Sequence, residues 1–166
     1  MKRLYLIGGT MGVGKTTACQ ILKRKLLNSV FLDGDWCWDA HPFQVTDETK
    51  AMVMDNICHL LNNFIHCSAY ENVIFCWVMH QQEIIDDILS RLDLNGVEVI
   101  AVSLLCSVPD LRARIEGDIS RGLRVEGDAE RSIARLPLYD VLNTIKIDTV
   151  GKAADEVAEE ILRLGR

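Results

Sequence analysis

The hydrophobic residues of this chain follow two alternating patterns. Short, nearly continuous apolar runs rich in β-branched residues alternate with longer stretches in which apolar residues recur every three or four positions. The short runs predict strands that are buried on both faces, and the longer stretches predict helices with one apolar face. The predicted strands span residues 3–7, 30–32, 73–78, 97–105 and 144–147, and the helical stripes include Leu22, Ile57, Leu61, Ile88 and Ile161.

This alternation predicts an α/β fold in which a five-stranded parallel sheet is covered by helices on both faces, as three layers α/β/α. The chain has 166 residues, enough for one domain with its own core, and we expect a single domain over residues 1–166. Binding sites in such folds lie at the carboxyl ends of the strands. Polar residues that follow a predicted strand are therefore the first candidates for a functional site.

The charge and the length of the apolar runs restrict the possible partners. The formal net charge is −6 and no Lys/Arg-rich block occurs, so we expect no binding to a nucleic acid polymer. No apolar run approaches the length of about 20 residues that spans a membrane, and the N-terminal run is too short for a signal peptide. We expect a cytoplasmic protein without membrane contact, as a monomer or a homodimer.

The six cysteines form no C-x-x-C pair and no cluster with histidine at metal-ligand spacing. Most of them fall inside apolar periodic segments, and we expect reduced thiols in the core.

The most specific motif follows the first predicted strand. Residues 9–16 read Gly-Thr-Met-Gly-Val-Gly-Lys-Thr, the pattern G-x-x-x-x-G-K-[ST] of a phosphate-binding loop. Its glycines allow consecutive N–H groups to form a concave nest for anions, and the helix that follows adds the positive end of its dipole. We expect this segment, named here the phosphate loop, to bind ATP with Mg²⁺. The predicted nucleotide contacts are Gly9, Thr10, Met11, Gly12, Val13, Gly14, Lys15, Thr16 and Thr17.

A pair of carboxylates follows the second predicted strand, in the sequence Asp33-Gly34-Asp35. If the fold is correct, both face the same cleft as the phosphate loop. A carboxylate in that position can accept the proton of an attacking hydroxyl, and a second one can hold Mg²⁺ or its water. The alternative interpretation is a turn, because Asp-Gly-Asp is also typical of turns.

Taken together, these segments resemble the small-molecule kinases of the phosphate-loop class. The resemblance rests on residues 9–16, on Asp33-Gly34-Asp35, on the arginine-bearing segment 112–124 and on Ile147-Asp148-Thr149. The group includes shikimate kinase, gluconate kinase, adenylylsulfate kinase and chloramphenicol phosphotransferase. The resemblance implies the P-loop NTPase fold with strand order 2-3-1-4-5. It also implies ATP-dependent transfer of a phosphoryl group to a hydroxyl of a small molecule, such as a sugar acid, a nucleoside or nucleotide, or an antibiotic-like alcohol.

The same resemblance implies roles for individual residues. Lys15 would bridge the phosphates and Asp33 would be the base for the acceptor hydroxyl. Thr16 would be a Mg²⁺ ligand, and Asp35 would contact Mg²⁺ through water or contact the substrate. The third predicted strand is not followed by the acidic residue of a Walker B motif, so Mg²⁺ would otherwise depend on nucleotide oxygens and water.

A lid is implied for residues 118–127. The sequence Arg121-Gly122-Leu123-Arg124 is similar to the Arg-Gly-x-Arg lid of chloramphenicol phosphotransferase and its relatives, where arginines close over the transferring phosphate. A guanidinium meets phosphate oxygens in a bidentate geometry, which suits this role. The alternative interpretation is a connector with solvated basic side chains.

The acceptor is not identified by the sequence. Trp36 could stack on a ring of the substrate or only cover the cleft, and His80 could contact the substrate or be structural. A nucleotide-binding resistance or regulatory protein of tunicamycin-resistance type, with the same fold and little turnover, stays as an alternative. A switch GTPase is not supported, because the Asn-Lys-x-Asp guanine motif is absent.

Overall fold

The computed structural model describes all residues from Met1 to Arg166. Five parallel strands form one sheet in the order β2-β3-β1-β4-β5. The predicted fold class and strand order are therefore confirmed. The strands are β1 (Lys2–Gly8), β2 (Ser29–Asp33), β3 (Asn72–Trp77), β4 (Val97–Leu105) and β5 (Ile145–Asp148).

Helices connect the strands and cover both faces of the sheet. Two short 3₁₀ helices, Gly34–Cys37 and Leu136–Val141, follow β2 and precede β5. The α-helices are α1 (Lys15–Lys25), α2 (Asp47–His66), α3 (Gln82–Ser90), α4 (Val108–Ser120), α5 (Asp128–Arg135) and α6 (Ala154–Leu164). No helix combines the length and the hydropathy needed to cross a membrane.

The central strand β1 explains why the strand sequences are continuously apolar. Tyr5 and Ile7 point into a core formed with α1 and α6, while Leu4 and Leu6 point into a second core formed with α2 and α3. All four side chains are almost completely buried. A strand with helices on both faces has no solvent-facing side, so the alternation of polar and apolar residues disappears.

The parallel arrangement brings the carboxyl ends of all strands to one edge. The phosphate loop follows β1 at this edge, the 3₁₀ helix Gly34–Cys37 follows β2, and residues 78–80 follow β3. β3 lies between β1 and β2 in the sheet. The phosphate loop and the Asp33-Gly34-Asp35 pair therefore face each other across the end of β3.

The segment expected to be a lid is only partly a loop. Residues 118–120 form the last turn of α4, and Gly117 lies inside that helix. The irregular part begins at Arg121 and ends at Gly127, where the backbone takes a positive φ before α5. Whether these residues move remains a prediction.

One buried hydrogen bond ties the second 3₁₀ helix to the site edge. The hydroxyl of Tyr139 donates to the carbonyl oxygen of Val78 at 2.5 Å, and the same oxygen accepts from Gly9 N–H at 3.4 Å. Burial raises the pKa of Tyr139, so the phenol stays protonated and keeps its donor. Tyr139 thus links the segment before β5 to the start of the phosphate loop.

We expect Tyr139→Phe to lower the free energy of unfolding by about 1–2 kcal/mol, because the buried carbonyl loses its short partner while the ring volume is retained. Urea denaturation followed by circular dichroism measures this value. Tyr70→Phe is the matched control, since the ring of Tyr70 packs edge-on against Phe64 and its hydroxyl has no hydrogen bond. Equal stability of the two variants would contradict a structural role for the Tyr139 hydroxyl.

Candidate active site

The phosphate loop adopts a backbone shape that requires glycine at two positions. Gly12 has φ of 87° and Gly14 has φ of 102°, both in the left-handed region. A Cβ atom on Gly12 would also lie 2.7 Å from the side chain of Ile115. Gly14 precedes α1 and offers no side chain to cap it. The N–H groups of the first turn of α1 are therefore left free to bind an anion.

Two side chains from outside the loop hold its shape. The Thr10 hydroxyl is buried and contacts Ser132 of α5, at 2.7 Å to its carbonyl and 2.8 Å to its hydroxyl. Ser132 also donates to the Met11 carbonyl at 2.5 Å. From α4, Arg114 donates to the Val13 carbonyl at 3.0 Å. The Thr10 side chain and the carbonyls of Met11 and Val13 are therefore engaged within the protein.

Neither Ser132 nor Arg114 was singled out as a site residue from the sequence. Both lie more than 100 positions from the loop residue that they contact. Arg114 lies in the arginine-bearing segment 112–124 and Ser132 in no motif, and the contacts of both depend on where α4 and α5 pack.

Lys15 lies at the centre of the charged groups. Its ammonium donates to the Thr10 carbonyl at 3.1 Å. Burial lowers the pKa of Lys15, and the negative charges of Asp35 and Asp33 oppose that shift. The lysine is thus held between the phosphate loop and the carboxylate pair, where a charge can bridge phosphate oxygens.

The two carboxylates of the Asp33-Gly34-Asp35 pair have different surroundings. Asp33 is buried, and its two oxygens accept from the Thr16 hydroxyl at 2.7 Å and from the Asp35 N–H at 3.0 Å. The second contact caps the 3₁₀ helix that follows β2. Both oxygens of Asp33 therefore have protein partners.

Asp35 instead opens to the cleft. Desolvation by the surrounding protein and the charge of Asp33 raise the pKa of Asp35, while Lys15, the indole of Trp77 and Arg124 lower it. The net direction is upward, which moves this carboxyl toward the range in which it exchanges protons at physiological pH. Asp35 is thus the more accessible of the two carboxylates.

Trp77 is a site residue that the motif search missed. It ends β3, and its ring packs on Gly34 so closely that a Cβ atom on Gly34 would lie 2.5 Å from the indole Cγ. Trp77 lies at the end of a predicted strand, and this position is the only feature of the sequence that could have identified it as a site residue. The close packing shows why glycine separates the two carboxylates.

The residues after β3 place His80 beside the cleft. Met79 is buried and has a φ of 35°, which is rare for a residue other than glycine. Burial and the charge of Arg135 lower the pKa of His80, and its Nδ1 is buried without a hydrogen-bond partner. His80 is therefore neutral at physiological pH and carries a buried polar atom without a hydrogen-bond partner.

Trp36 follows the carboxylate pair in the first 3₁₀ helix. Its side chain is 54% exposed and packs edge-on against Phe31, with ring centroids 5.2 Å apart. Trp36 and Cys37 border an open cavity of about 520 Å³ whose other walls come from α2. The lining residues from α2 are Asp55, Asn56, His59 and Leu60.

A second cavity adjoins the phosphate loop on the side of β4 and β5. Its volume is about 230 Å³, and Thr17, Arg114, Thr149 and Lys152 contribute polar atoms to it. Thr149 is fixed there by a bond from its hydroxyl to the Leu105 carbonyl at 2.9 Å. The loop residues that complete the wall are Gly12, Val13 and Gly14.

Arg121 and Arg124 share one carboxylate. Asp118 accepts from Arg121 at 2.6 Å and from Arg124 at 3.0 Å. These hydrogen bonds lower the pKa of Asp118, so it is charged at neutral pH. Arg124 is close enough to the cleft for its charge to act on Asp35. The structure thus brings the arginines to the side of the site, but with their guanidinium groups bound to Asp118.

A comparison with known protein families assigns the chain to a family. A family model described as an AAA domain matches residues 6–133, which includes the phosphate loop, the carboxylate pair and the arginine segment. The chain belongs to this AAA domain family. Among curated proteins, no sequence is significantly similar to this AAA domain.

Solved structures with the same fold include a resistance protein and kinases. The tunicamycin resistance protein of Deinococcus radiodurans has a TM-score of 0.75 and 20% identity, over 99% of this chain and 96% of that chain. A gluconokinase from Sinorhizobium meliloti 1021 has a TM-score of 0.69 and 18% identity, over 96% and 89%. Shikimate kinase from Acinetobacter baumannii, in complex with shikimate, has a TM-score of 0.62 and 25% identity, over 99% and 92%.

These likenesses confirm the predicted relation to the small-molecule kinases of the phosphate-loop class at the level of the fold. This AAA domain thus shares the P-loop fold of those kinases.

Asp118 competes with a bound anion for Arg121 and Arg124, and this competition can be tested. We expect Asp118→Asn to tighten ATP binding about two- to fivefold at low salt, since the arginines lose a competing anion and exposed ion pairs are weak. Isothermal titration calorimetry at two salt concentrations measures this effect, which shrinks at high salt. Glu126→Gln removes the same charge from an exposed residue that has no ion pair with either arginine. An equal increase of ATP affinity in both variants would show that the effect comes from the net charge and not from the ion pairs of Asp118.

Proposed function

We propose that this chain is a kinase that transfers the γ-phosphate of ATP to a hydroxyl of a small molecule. The observation that carries this proposal is the unequal pair of carboxylates beside the phosphate loop. Asp33 is bonded to Thr16 of the loop, whereas Asp35 opens to the cleft with a raised pKa. A protein that only binds a nucleotide has no need for a basic carboxylate aimed at the place where an acceptor would lie.

The nucleotide would lie along the phosphate loop. Its phosphates would meet the free N–H groups of the loop and of α1, and the Lys15 ammonium would exchange the Thr10 carbonyl for phosphate oxygens. The cavity between Arg114, Thr149 and Lys152 borders the loop and would take the base and sugar.

The hydroxyl of Thr16 and the carboxylate of Asp33 fit the requirements of a Mg²⁺ site. Both are hard oxygen donors, and they lie 2.7 Å apart at the end of the loop. No group of three or more His, Cys, Asp or Glu residues could hold a metal alone, so nucleotide oxygens and water would complete the ligand set. When bound, Mg²⁺ would neutralise charge on the phosphates.

This assignment differs from the roles that the family resemblance implied for the two aspartates. The resemblance made Asp33 the base, and Asp35 a contact to Mg²⁺-bound water or to the substrate. The bonds of Asp33 to Thr16 and to the Asp35 N–H support the metal role for Asp33. The exposure and raised pKa of Asp35 support its role as the base that accepts the proton of the attacking hydroxyl.

The acceptor would lie between Asp35, Trp36 and His80. Trp36 offers an exposed aromatic surface, and His80 offers a neutral imidazole with an unpaired Nδ1. These groups suit a hydroxylated molecule with further polar groups. As the γ-phosphate accumulates charge in transfer, Arg121 and Arg124 would leave Asp118 and contact the phosphate oxygens.

The direct test measures ADP release with a panel of sugars, sugar acids, nucleosides and hydroxylated antibiotics, followed by mass spectrometry of the product. We expect at least one acceptor to gain one phosphate, with Lys15→Ala as the inactive control. The likeness to the Deinococcus radiodurans protein supports the alternative of a nucleotide-binding resistance protein with little turnover. Tight ATP binding without a phosphorylated product across the panel would favour that alternative.

With Asp35 as the base and Asp33 at the Mg²⁺ site, the variants Asp35→Asn and Asp33→Asn should lose different functions. We expect Asp35→Asn to bind ATP normally and to lose transfer about 100- to 10,000-fold, because the amide cannot accept the proton. Asp33→Asn should mainly raise the Mg²⁺ concentration required for half-maximal rate. Calorimetry and Mg²⁺ titrations of the rate measure both. The reverse pattern would restore Asp33 as the base.

The raised pKa of Asp35 also predicts the pH dependence. A base must be deprotonated, so kcat/KM should fall as the pH falls through a pKa above the ordinary aspartate value of about 4. Asp33→Asn removes a neighbouring negative charge and should move this acid limb to lower pH, because the charged form of Asp35 becomes less unfavourable. Rate measurements from pH 4 to 8 with the identified acceptor test this. An unchanged limb in Asp33→Asn would show that another group titrates.

A further inference from the structure

One carbonyl group of the phosphate loop is held by a side chain of α5. The Ser132 hydroxyl donates to the Met11 carbonyl at 2.5 Å. This carbonyl belongs to the trans peptide between Met11 and Gly12, and the C=O and N–H groups of such a peptide lie in one plane and point in opposite directions. The contact with Ser132 therefore directs the Gly12 N–H group away from α5. That N–H group has no hydrogen-bond partner within the protein.

The backbone at Gly12 does not by itself select this orientation. Turning over a peptide plane changes ψ of the residue before it and φ of the residue after it. Gly12 has a φ of 87°, and glycine adopts positive and negative φ with similar ease. With the peptide reversed, the Met11 carbonyl oxygen would face the anion-binding side of the loop and repel a phosphate. A contact from outside the loop is therefore needed to keep the N–H group on that side.

Ser132 is itself held in place by its neighbours. Its hydroxyl lies 2.8 Å from the buried Thr10 hydroxyl, and its carbonyl accepts from Thr10 at 2.7 Å. Each hydroxyl carries one proton and a carbonyl can only accept, so the Ser132 proton goes to Met11 and the Thr10 proton goes to Ser132. On the same helix, Ala129 packs with Ile115 of α4 in a small separate core. The serine thus presents its donor to the loop from a helix that is packed on α4.

We propose that Ser132 is a positioning residue for the phosphate loop, which fixes the peptide between Met11 and Gly12 so that the Gly12 N–H group faces a bound triphosphate. This inference rests on the part of the proposed function in which the loop binds phosphates, and it does not depend on the acceptor. Without the serine hydroxyl, part of the population has the reversed peptide. The apparent affinity for phosphates then falls with the fraction of chains in the competent orientation.

Ser132→Ala removes only the hydroxyl group. We expect the Kd for ATP and the Kd for inorganic tripolyphosphate to rise about three- to tenfold, the range for loss of one hydrogen bond. The Kd for adenosine should not change, because adenosine has no phosphate to meet the loop. Calorimetry measures ATP and tripolyphosphate, and ligand-observed NMR measures the weaker adenosine. A general loosening of the protein would weaken all three alike, so the difference between the ligands separates positioning from a merely structural role.

Ser103→Ala is the matched control. Ser103 is almost completely buried, as Ser132 is, and its hydroxyl lies 2.6 Å from that of Thr144. The control variant removes a buried serine hydroxyl that has no contact with the phosphate loop, and we expect its binding of ATP and tripolyphosphate to match the parent. Equal weakening in both variants, or parental affinity in Ser132→Ala that is folded by circular dichroism, would overturn the proposal.

A second measurement uses the parent protein and needs no variant. Met11–Gly12 is the only place in the chain where glycine follows methionine. Labelling with carbonyl-¹³C methionine and ¹⁵N-glycine therefore gives one correlated amide signal, that of Gly12. We expect its proton to shift downfield with tripolyphosphate, because the N–H group donates to the anion, and to stay in place with adenosine. A signal that does not move at saturating tripolyphosphate would overturn the proposal even if Ser132→Ala did not fold.

The outcomes separate this inference from the proposed function. If no acceptor is phosphorylated, both binding measurements still test Ser132. A parent protein that binds neither ATP nor tripolyphosphate would remove the phosphate site and overturn both. Parental affinity in folded Ser132→Ala would overturn the role of Ser132 alone.

Discussion

The hydrogen bond between the Thr16 hydroxyl and the Asp33 carboxylate joins two segments that follow strands which are not neighbours. Thr16 follows β1 and Asp33 ends β2, while β3 lies between them in the sheet. The two can meet only above the carboxyl end of β3. The residues at that end, from Trp77 to His80, therefore form the floor of the cleft. The packing of Trp77 on Gly34 and the positive φ of Met79 both occur at this end of the sheet.

The charges of the site are balanced within the protein before any ligand binds. Lys15 lies among Asp33, Asp35 and the loop carbonyl of Thr10, and its pKa is lowered by burial. Arg121 and Arg124 are bonded to Asp118. A triphosphate would replace these internal partners with phosphate oxygens, so the free energy of binding is a difference between two sets of ionic contacts. Such an exchange is sensitive to salt and to the removal of single carboxylates.

The phosphate loop receives hydrogen bonds from residues that lie outside its own sequence. Ser132 on α5 holds the Thr10 hydroxyl and the Met11 carbonyl, and Arg114 on α4 holds the Val13 carbonyl. The two helices flank the arginine segment. A movement of that segment would thus be coupled through α4 and α5 to the loop that binds phosphate. Such a coupling would connect the segment between Arg121 and Gly127 to the site without direct contact.

The sequence by itself determined the features that depend on local chemistry and periodicity. Continuous apolar runs gave the strands because both faces of the sheet are covered, and the glycine pattern of residues 9–16 gave the phosphate loop because its φ values exclude other residues. The expectation that binding sites lie at the carboxyl ends of the strands placed Asp33 and Asp35 at the correct edge of the sheet. Only the tertiary structure decided which aspartate binds Thr16 and which opens to the cleft. It also decided that Trp77, Ser132, Arg114 and Asp118 contact the site residues. These choices depend on strand register and helix packing between residues far apart in the chain, and no local pattern encodes them.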